Sequence, residues 1–370
     1  MRNFLKNTKK IVVKVGTSIL TSPEGRISSR HLERLGRDVQ GVLAQGRQAA
    51  LVSSGAIAYG METCGFKKRP KHLSALQACA AIGQGKLMRA YDQFFSRKKV
   101  ITAQLLLTRD GLEDRERFLA ARRTFEELFA MNALPIVNEN DTVATEEIAF
   151  GDNDILSVHV AHLIRADLLV ILSDVNGFFL KDGSRIRQVS SEHEIDHELV
   201  KHLQDTRKEK NVGGMKAKLE AARVAMRLGV SMMIVNGHEK GILGKVLSGD
   251  DVGTLFWADP KPHNARKEWI AFSAPRKGTV TVDQGAYDAL CLKKKSLLAS
   301  GIRSLKGTFE KGDVVELATM EDRVFGRGVV RFGSQDLEKI LGKKTDEIIP
   351  ILGPDSSGEV IHRNDLLLWV

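Results

Sequence analysis

Up to about residue 256 the chain alternates short apolar runs with longer stretches in which apolar residues return every three or four positions. The runs at residues 11–15, 49–53, 101–107, 134–138, 168–172 and 232–235 predict strands. Between them, the segment after Ser28 or Ser29 has a hydroxyl N-cap, apolar residues at Leu32, Leu35, Val39, Val42 and Leu43, and Gly46 just past its end. That spacing predicts an amphipathic helix with a defined start and stop. Further helices are expected at 115–131, 152–164 and 216–228, the last stopped by Gly229. Strands that alternate with helices imply βαβ units and a mostly parallel sheet, an α/β fold.

After Trp257 the texture changes. The stretch ADPKPHNARKEW is polar, holds two prolines and has no period, which reads as a linker. Beyond it come short alternating runs such as residues 279–282, glycines at 307, 312, 326 and 328 that suggest turns, and two short helical segments. The expected organisation is a first domain over 1–258, a linker over 259–274 and a small β-rich domain over 275–370.

Composition narrows the class. With 370 residues, 42% hydrophobic and 28% charged, the chain can bury one large core and a smaller one. The basic start MRNFLKNTKK is followed by an apolar run that Lys14 interrupts, so no signal-peptide core follows it, and no apolar run approaches the roughly 18 residues of a membrane helix. Cys64, Cys79 and Cys291 are odd in number and widely spaced, which points to reduced thiols and a cytoplasmic protein without membrane contact. The formal charge of +10 is concentrated: residues 1–270 hold 41 Lys and Arg against 32 Asp and Glu, and residues 271–370 hold 15 against 14. A cleft for a small anion explains that excess as well as RNA does. The near-neutral tail speaks against a strong phosphate-tracking surface there.

The familiar nucleotide loops are absent. Around Gly85-Lys86, Ala80 stands where a P-loop has its first glycine and Leu87 where it has Ser or Thr; as a dinucleotide fingerprint, Gly83 and Gly85 are followed by Met88. His193-Glu-Ile-Asp-His197 fits the zinc-peptidase string, but polar residues precede it and no third ligand is identifiable, so a solvated helix start is expected. Four strand ends stand out instead: Lys14-Val15-Gly16-Thr17-Ser18, Val52-Ser53-Ser54-Gly55-Ala56, Asn138-Glu139-Asn140-Asp141 and Leu172-Ser173-Asp174. In an open parallel sheet, ligands bind beyond the carboxyl ends of the strands. Two helix starts add to them, Gly151-Asp152-Asn153-Asp154 and Gly213-Gly214-Met215-Lys216-Ala217-Lys218. A glycine pair lets backbone amides approach a phosphate, and the helix N-terminus adds partial positive charge.

The segments VVKVGTSIL, SSGAIAYG, LPIVNENDTVATEEIAFGDND, LSD and GGMKAK resemble the motifs of the amino-acid kinase family, most closely its branch that phosphorylates glutamate. GTVTVDQGAYDAL, SLLASGI, LKGTFEKGDVV and GRGVV resemble the PUA domain that bacterial members of this branch often carry. The resemblance implies a three-layer αβα sandwich. It implies phosphorylation of the γ-carboxylate of L-glutamate by ATP with Mg2+, the committed step toward proline. An RNA-binding or RNA-modifying protein acting through the tail is the alternative.

Carried over by residue, the resemblance makes Lys14 and Lys218 the clamp on the transferring phosphoryl and Asp154 the group that holds them. Ser54, Asp141 and Asn153 become the glutamate-binding positions. Gly16, Ser173, Asp174 and a loop of Val212, Gly213, Gly214, Met215, Lys216, Ala217 and Lys218 become the ATP site. Where the family commonly has threonine this chain has Val212, and Lys216 is then expected to share the phosphate contact. The resemblance also implies a dimer or tetramer, feedback inhibition by proline, and handover of the product to a glutamyl phosphate reductase.

Overall fold

The computed structural model describes residues 2–22, 25–108, 111, 112, 114–143, 152–180, 182–195, 199, 212–258, 276–353 and 358–368. The linker expected at 259–274 lies outside them. The chain divides into two compact units, Met1–Arg109 with Leu119–Lys261, and Asp110–Phe118 with Pro262–Val370.

The first unit is built on β1 (Lys10–Val15), β2 (Gln48–Val52), β3 (Thr102–Leu107), β4 (Leu134–Glu139) and β5 (Leu168–Ser173). It continues with a hairpin of β6 (Phe178–Phe179) and β7 (Arg185–Ile186), then β8 (Gln188–Val189), β9 (Ser231–Asn236) and β10 (Thr254–Phe256). Eight of these form one sheet in the order β3-β4-β2-β1-β5-β9-β10-β8. The six strands from β3 to β9 are parallel, and β10 runs antiparallel to β9. All six predicted runs are strands, displaced by at most one residue at either end.

Helices follow the strands as βαβ logic requires. They are α1 (Thr17–Leu20), α2 (Ser29–Ala44), α3 (Ala56–Thr63), α4 (Leu73–Ser96), α5 (Arg115–Ala130), α6 (Asp152–Leu163), the short α7 (Glu192–Glu194), α8 (Val212–Arg227) and α9 (Ile242–Ser248). Helix α2 starts where the sequence indicates: the Ser28 side chain accepts from the amide of His31, and Gly46 ends the segment at φ +73°. Its buried stripe of Leu32, Leu35, Val39 and Val42 packs with Ile11, Val13 and Val15 of β1 in one core. Each such side chain contributes about 1.5–3 kcal/mol by leaving water.

One helix pair lies outside the sequence-based expectation and one helix departs from it. Helix α4, with α3 packed on it, covers the stretch around Gly85-Lys86 that fails both nucleotide-loop patterns. Its glycine serves helix packing: a Cβ at Gly83 would lie 1.8 Å from the Ala56 carbonyl oxygen, and one at Gly60 would lie 1.8 Å from that of Cys79. Helix α8 begins at Val212 rather than near Lys216, so the expected phosphate loop is the first turns of a helix. The two glycines disfavour helix by roughly 1 kcal/mol each, and packing of α8 on α6 and β9 outweighs that.

The second unit holds β11 (Arg276–Val282), β12 (Leu297–Leu298), β13 (Ile302–Lys306), β14 (Val314–Ala318), β15 (Val324–Val329), β16 (Glu359–Ile361) and β17 (Leu366–Leu368). Five of them form a sheet in the order β13-β11-β14-β15-β17. Three short helices accompany it, α10 (Gln284–Cys291), α11 (Ser334–Ile340) and α12 (Thr345–Leu352). Val280, Val315, Leu317, Phe325, Leu337 and Ile348 centre its own core. Gly307 and Gly312 take positive φ as turn residues. Gly326 and Gly328 do not: both lie inside β15, where a Cβ would meet Leu368 and Ile361 at 2.6 Å.

Candidate active site

Four adjacent strands, β4, β2, β1 and β5, end on the same edge of the sheet, and the four strand ends singled out by the sequence belong to them. A cleft of about 440 Å³ opens there. Lys14, Gly16, Ser54, Asp141, Asn153, Asp154, Gly214 and Lys218 all line it.

Lys14 reaches the cleft because of the pleat. Ile11, Val13 and Val15 point into the core shared with α2, and Lys14 therefore faces the opposite side, where α6 packs on β1. Helix α6 presents Asp154. Its Oδ1 lies 2.6 Å from Lys14 Nζ and its Oδ2 3.2 Å from Lys218 Nζ, with side-chain exposures of 7% for Lys14, 1% for Asp154 and 15% for Lys218. One carboxylate thus holds two cations, leaving one positive charge uncompensated within the trio. Burial, and then the neighbouring Lys218, lower the Lys14 amine below the ordinary lysine range, while Asp154 acts against them.

The other end of the cleft is built from β2, β4 and α6. Asn153 Nδ2 donates to the Ser53 carbonyl at 3.1 Å, to Ser54 Oγ at 3.0 Å and to Asn138 Oδ1 at 3.3 Å. Three acceptors on one side fix the amide, and its Oδ1 is buried with no hydrogen-bond partner among the described residues. Asn138 is anchored in turn through Gln84 at 2.8 Å, and Ser53 through the buried Tyr91 hydroxyl at 2.8 Å. Asp141, buried at 8% exposure, and Glu139 line this end, two strands from β1. Gly55 takes φ +102°, which turns the chain from β2 into α3 so that the helix starts at the cleft. Gly16 has an ordinary φ of −70°, and a Cβ there would meet only ordinary contacts, 3.5 Å from the Leu172 carbonyl oxygen and 3.9 Å from the Lys14 amine.

The amino acid kinase family model matches residues 9–236, and the PUA domain model matches residues 278–352. The glutamate 5-kinase of Carboxydothermus hydrogenoformans is 42% identical over 372 residues, covering all of both chains. That of Syntrophotalea carbinolica is 41% identical over 370 residues, covering 99% of each. The chain belongs to the amino acid kinase family. The solved structure of Giardia carbamate kinase shares the fold, with a TM-score of 0.50 at 16% identity over 68% of this chain and 99% of that one.

As an amino acid kinase the chain is a phosphotransferase that uses ATP. On the α8 side of the cleft the placement is selective. Gly214 lines the cleft, and its carbonyl lies 3.5 Å from Lys218 Nζ. Lys216 is exposed and does not line it, because two residues along a helix turn the side chain by about 200°. Met215 and Ala217 are half-buried outside the cleft wall, and the Val212 side chain lies outside the described residues. Ser173 and Asp174 stand at the end of β5, the serine donating to the aspartate at 3.1 Å, and do not line the cleft either.

Arg69 and Met61 line the cleft from the α3–α4 segment, and sequence reading offered no motif for either. Asp196 and His197 of the histidine string lie outside the described residues. Its described start is a capped polar turn in which Ser191 Oγ accepts from the amide of Glu194. Among the described residues, no group of three His, Cys, Asp or Glu could hold a metal ion, and no helix is long and apolar enough to cross a membrane.

Proposed function

We propose that the chain transfers the γ-phosphoryl group of ATP to the γ-carboxylate of L-glutamate, giving L-glutamyl 5-phosphate, the committed step toward proline. The observation that carries this reading is the buried trio of Lys14, Asp154 and Lys218 at one end of a cleft whose other end holds Asn153, Ser54 and Asp141. Full-length similarity to glutamate 5-kinases supports it.

The chemistry asks for little beyond this. Phosphoryl transfer is accelerated mainly by positioning and by neutralising charge on the phosphoryl oxygens. The acceptor carboxylate is already ionised at neutral pH, so no general base is required. In this reading Lys14 and Lys218 offset the repulsion between two anions, and Asp154 keeps both amines aimed at the gap. The Asp141 carboxylate pairs with the substrate ammonium, and the unpartnered Asn153 Oδ1 accepts a second hydrogen bond from it. The amides at the start of α8 receive the ATP phosphates, with Ser173 and Asp174 further along the nucleotide.

Mg2+ fits as an ion carried by the triphosphate with its own waters rather than one held in a protein cage. It would supply positive charge at the phosphates. The catalytic domain is taken as 1–258 and the PUA-like domain as 275–370. Proline would inhibit through the same ammonium contacts, in a dimer or tetramer that passes its product to a glutamyl phosphate reductase.

The test is formation of γ-glutamyl hydroxamate from glutamate, ATP, Mg2+ and hydroxylamine. Equal yield from N-acetylglutamate, which has no ammonium for Asp141, would overturn the substrate assignment.

A further inference from the structure

A second cavity, of about 500 Å³, is lined by Arg30, His31, Arg34, Arg37, Asp38 and Lys240. It shares no residue with the cleft at Lys14. Its walls are the first turns of α2 and the segment between β9 and α9.

Four of those six side chains are cations and one is a carboxylate, Asp38, which lies in the field of Arg34 and Arg37 but makes its hydrogen bonds to backbone amides. Asp38 Oδ1 accepts from the amide of Gly241 at 3.1 Å, and the Ile242 amide also bonds it, so Asp38 caps the N-terminus of α9. Among the described residues, Arg30, Arg34, Arg37 and Lys240 have no ion pair within 4 Å. Arg34 is nonetheless fixed: its Nη2 donates to His238 Nδ1 at 3.1 Å, which requires that nitrogen to be unprotonated. Burial, with Arg34 and His31 nearby, lowers His238 below the usual imidazole range, in agreement with that donor direction. His31 is held in turn, its Nδ1 donating to the Thr21 carbonyl at 3.0 Å, and the two imidazoles meet edge-on at 5.6 Å. Arg34 Nε is buried and has no hydrogen-bond partner among the described residues. The cavity is therefore preorganised and cationic, with an unsatisfied donor.

We propose that this cavity binds a phosphate-bearing small anion. Three guanidinium groups offer planar, paired donors suited to phosphate oxygens, and an ammonium adds a point charge. A single carboxylate would leave most of that charge unmatched, whereas a phosphate ester or pyrophosphate carries two or more negative charges. The volume lies in the range of small-molecule sites. Part of the basic excess of the first 270 residues is gathered here rather than spread over a face. The inference does not depend on glutamate being the substrate at the other cleft.

The experiment titrates inorganic pyrophosphate into the full chain by calorimetry at fixed ionic strength, with citrate as a carboxylate anion for comparison. One pyrophosphate site is expected to weaken about tenfold or more in Arg34→Gln, the scale of a lost charge-assisted hydrogen bond. The same site should weaken in Arg37→Gln/Lys240→Gln, whose residues are exposed and tolerate change if Arg34→Gln misfolds. Turnover at the Lys14 cleft should stay within about twofold in the double variant, since surface changes away from special features are small. Isotherms identical to the wild type in both variants overturn the proposal. So does citrate binding as tightly as pyrophosphate, or a salt-sensitive tRNA complex without any pyrophosphate site.

Discussion

Lys14 and Asp154 form a 2.6 Å ion pair almost sealed from water, although one comes from the first strand of the sheet and the other from a helix after the fourth. Removing one partner of such a pair leaves a buried charge unmatched, which costs about 3–5 kcal/mol. Asp154→Ala leaves two adjacent cations and is expected to lower stability by that amount. Asp154→Asn keeps the shape and should lower turnover about 10²-fold or more, as for loss of a charge-positioning group. Denaturant unfolding and the hydroxamate rate read the two effects separately.

The lysines themselves should matter most in the chemical step. Lys14→Ala and Lys218→Ala are each expected to reduce turnover roughly 10³-fold, the scale of other groups that neutralise a transferring phosphoryl. Near-normal turnover in either variant removes that lysine from the mechanism.

The depressed proton affinity of Lys14 has opposite consequences for stability and activity. In the unfolded chain the amine keeps its proton to higher pH, so between the folded and ordinary lysine values the unfolded state binds more protons. Stability from this group therefore rises with pH through that interval. Activity, which needs the charged amine, should fall through it. Unfolding midpoints followed upward in pH to the ordinary lysine value should show a rise in the wild type that Lys14→Met lacks, and kcat/KM should decline over the same interval.

At the acceptor end, Asp141→Asn and Asn153→Leu should raise KM for glutamate about 10-fold or more, the price of a lost charged or buried hydrogen bond. KM for ATP should change little. An unchanged glutamate KM in both would show that the ammonium lies elsewhere.

Gly60→Ala places a Cβ 1.8 Å from the Cys79 carbonyl oxygen, and Gly83→Ala places one equally close to that of Ala56. Since both close approaches involve backbone, each substitution is expected to cost about 1–3 kcal/mol or more. Thermal unfolding measures it directly; an unshifted midpoint would mean that α3 and α4 sit further apart.

The strands were readable because buried parallel strands leave continuous apolar runs, and residues 11–15 or 168–172 have nothing else to be. The α3–α4 pair was harder to see. Leu76, Cys79, Ala80, Gly83, Leu87, Tyr91 and Phe95 keep a helical spacing, but glycine and alanine dilute it, and Gly83 with Gly85 imitates part of a nucleotide-loop pattern. The start of α8 was obscured by local chemistry of the same kind: a glycine pair reads as a loop until its packing partners are known. Lys14 at a strand end announced itself, since a lysine in an apolar run needs a reason. Arg69 and Met61 had no such contrast with their surroundings and emerged only from the folded arrangement.

The trio of residues 14, 154 and 218 is drawn from nearly the whole length of the first unit, across strands that are neighbours in space and remote in sequence. Contacts of such long sequence separation form late and slowly. A growing chain therefore carries Lys14 without its counter-charge until most of the unit has left the ribosome. Phosphorylating activity becomes a gauge of completed folding, and any substitution that loosens the central sheet should register as lost catalysis before the core itself melts.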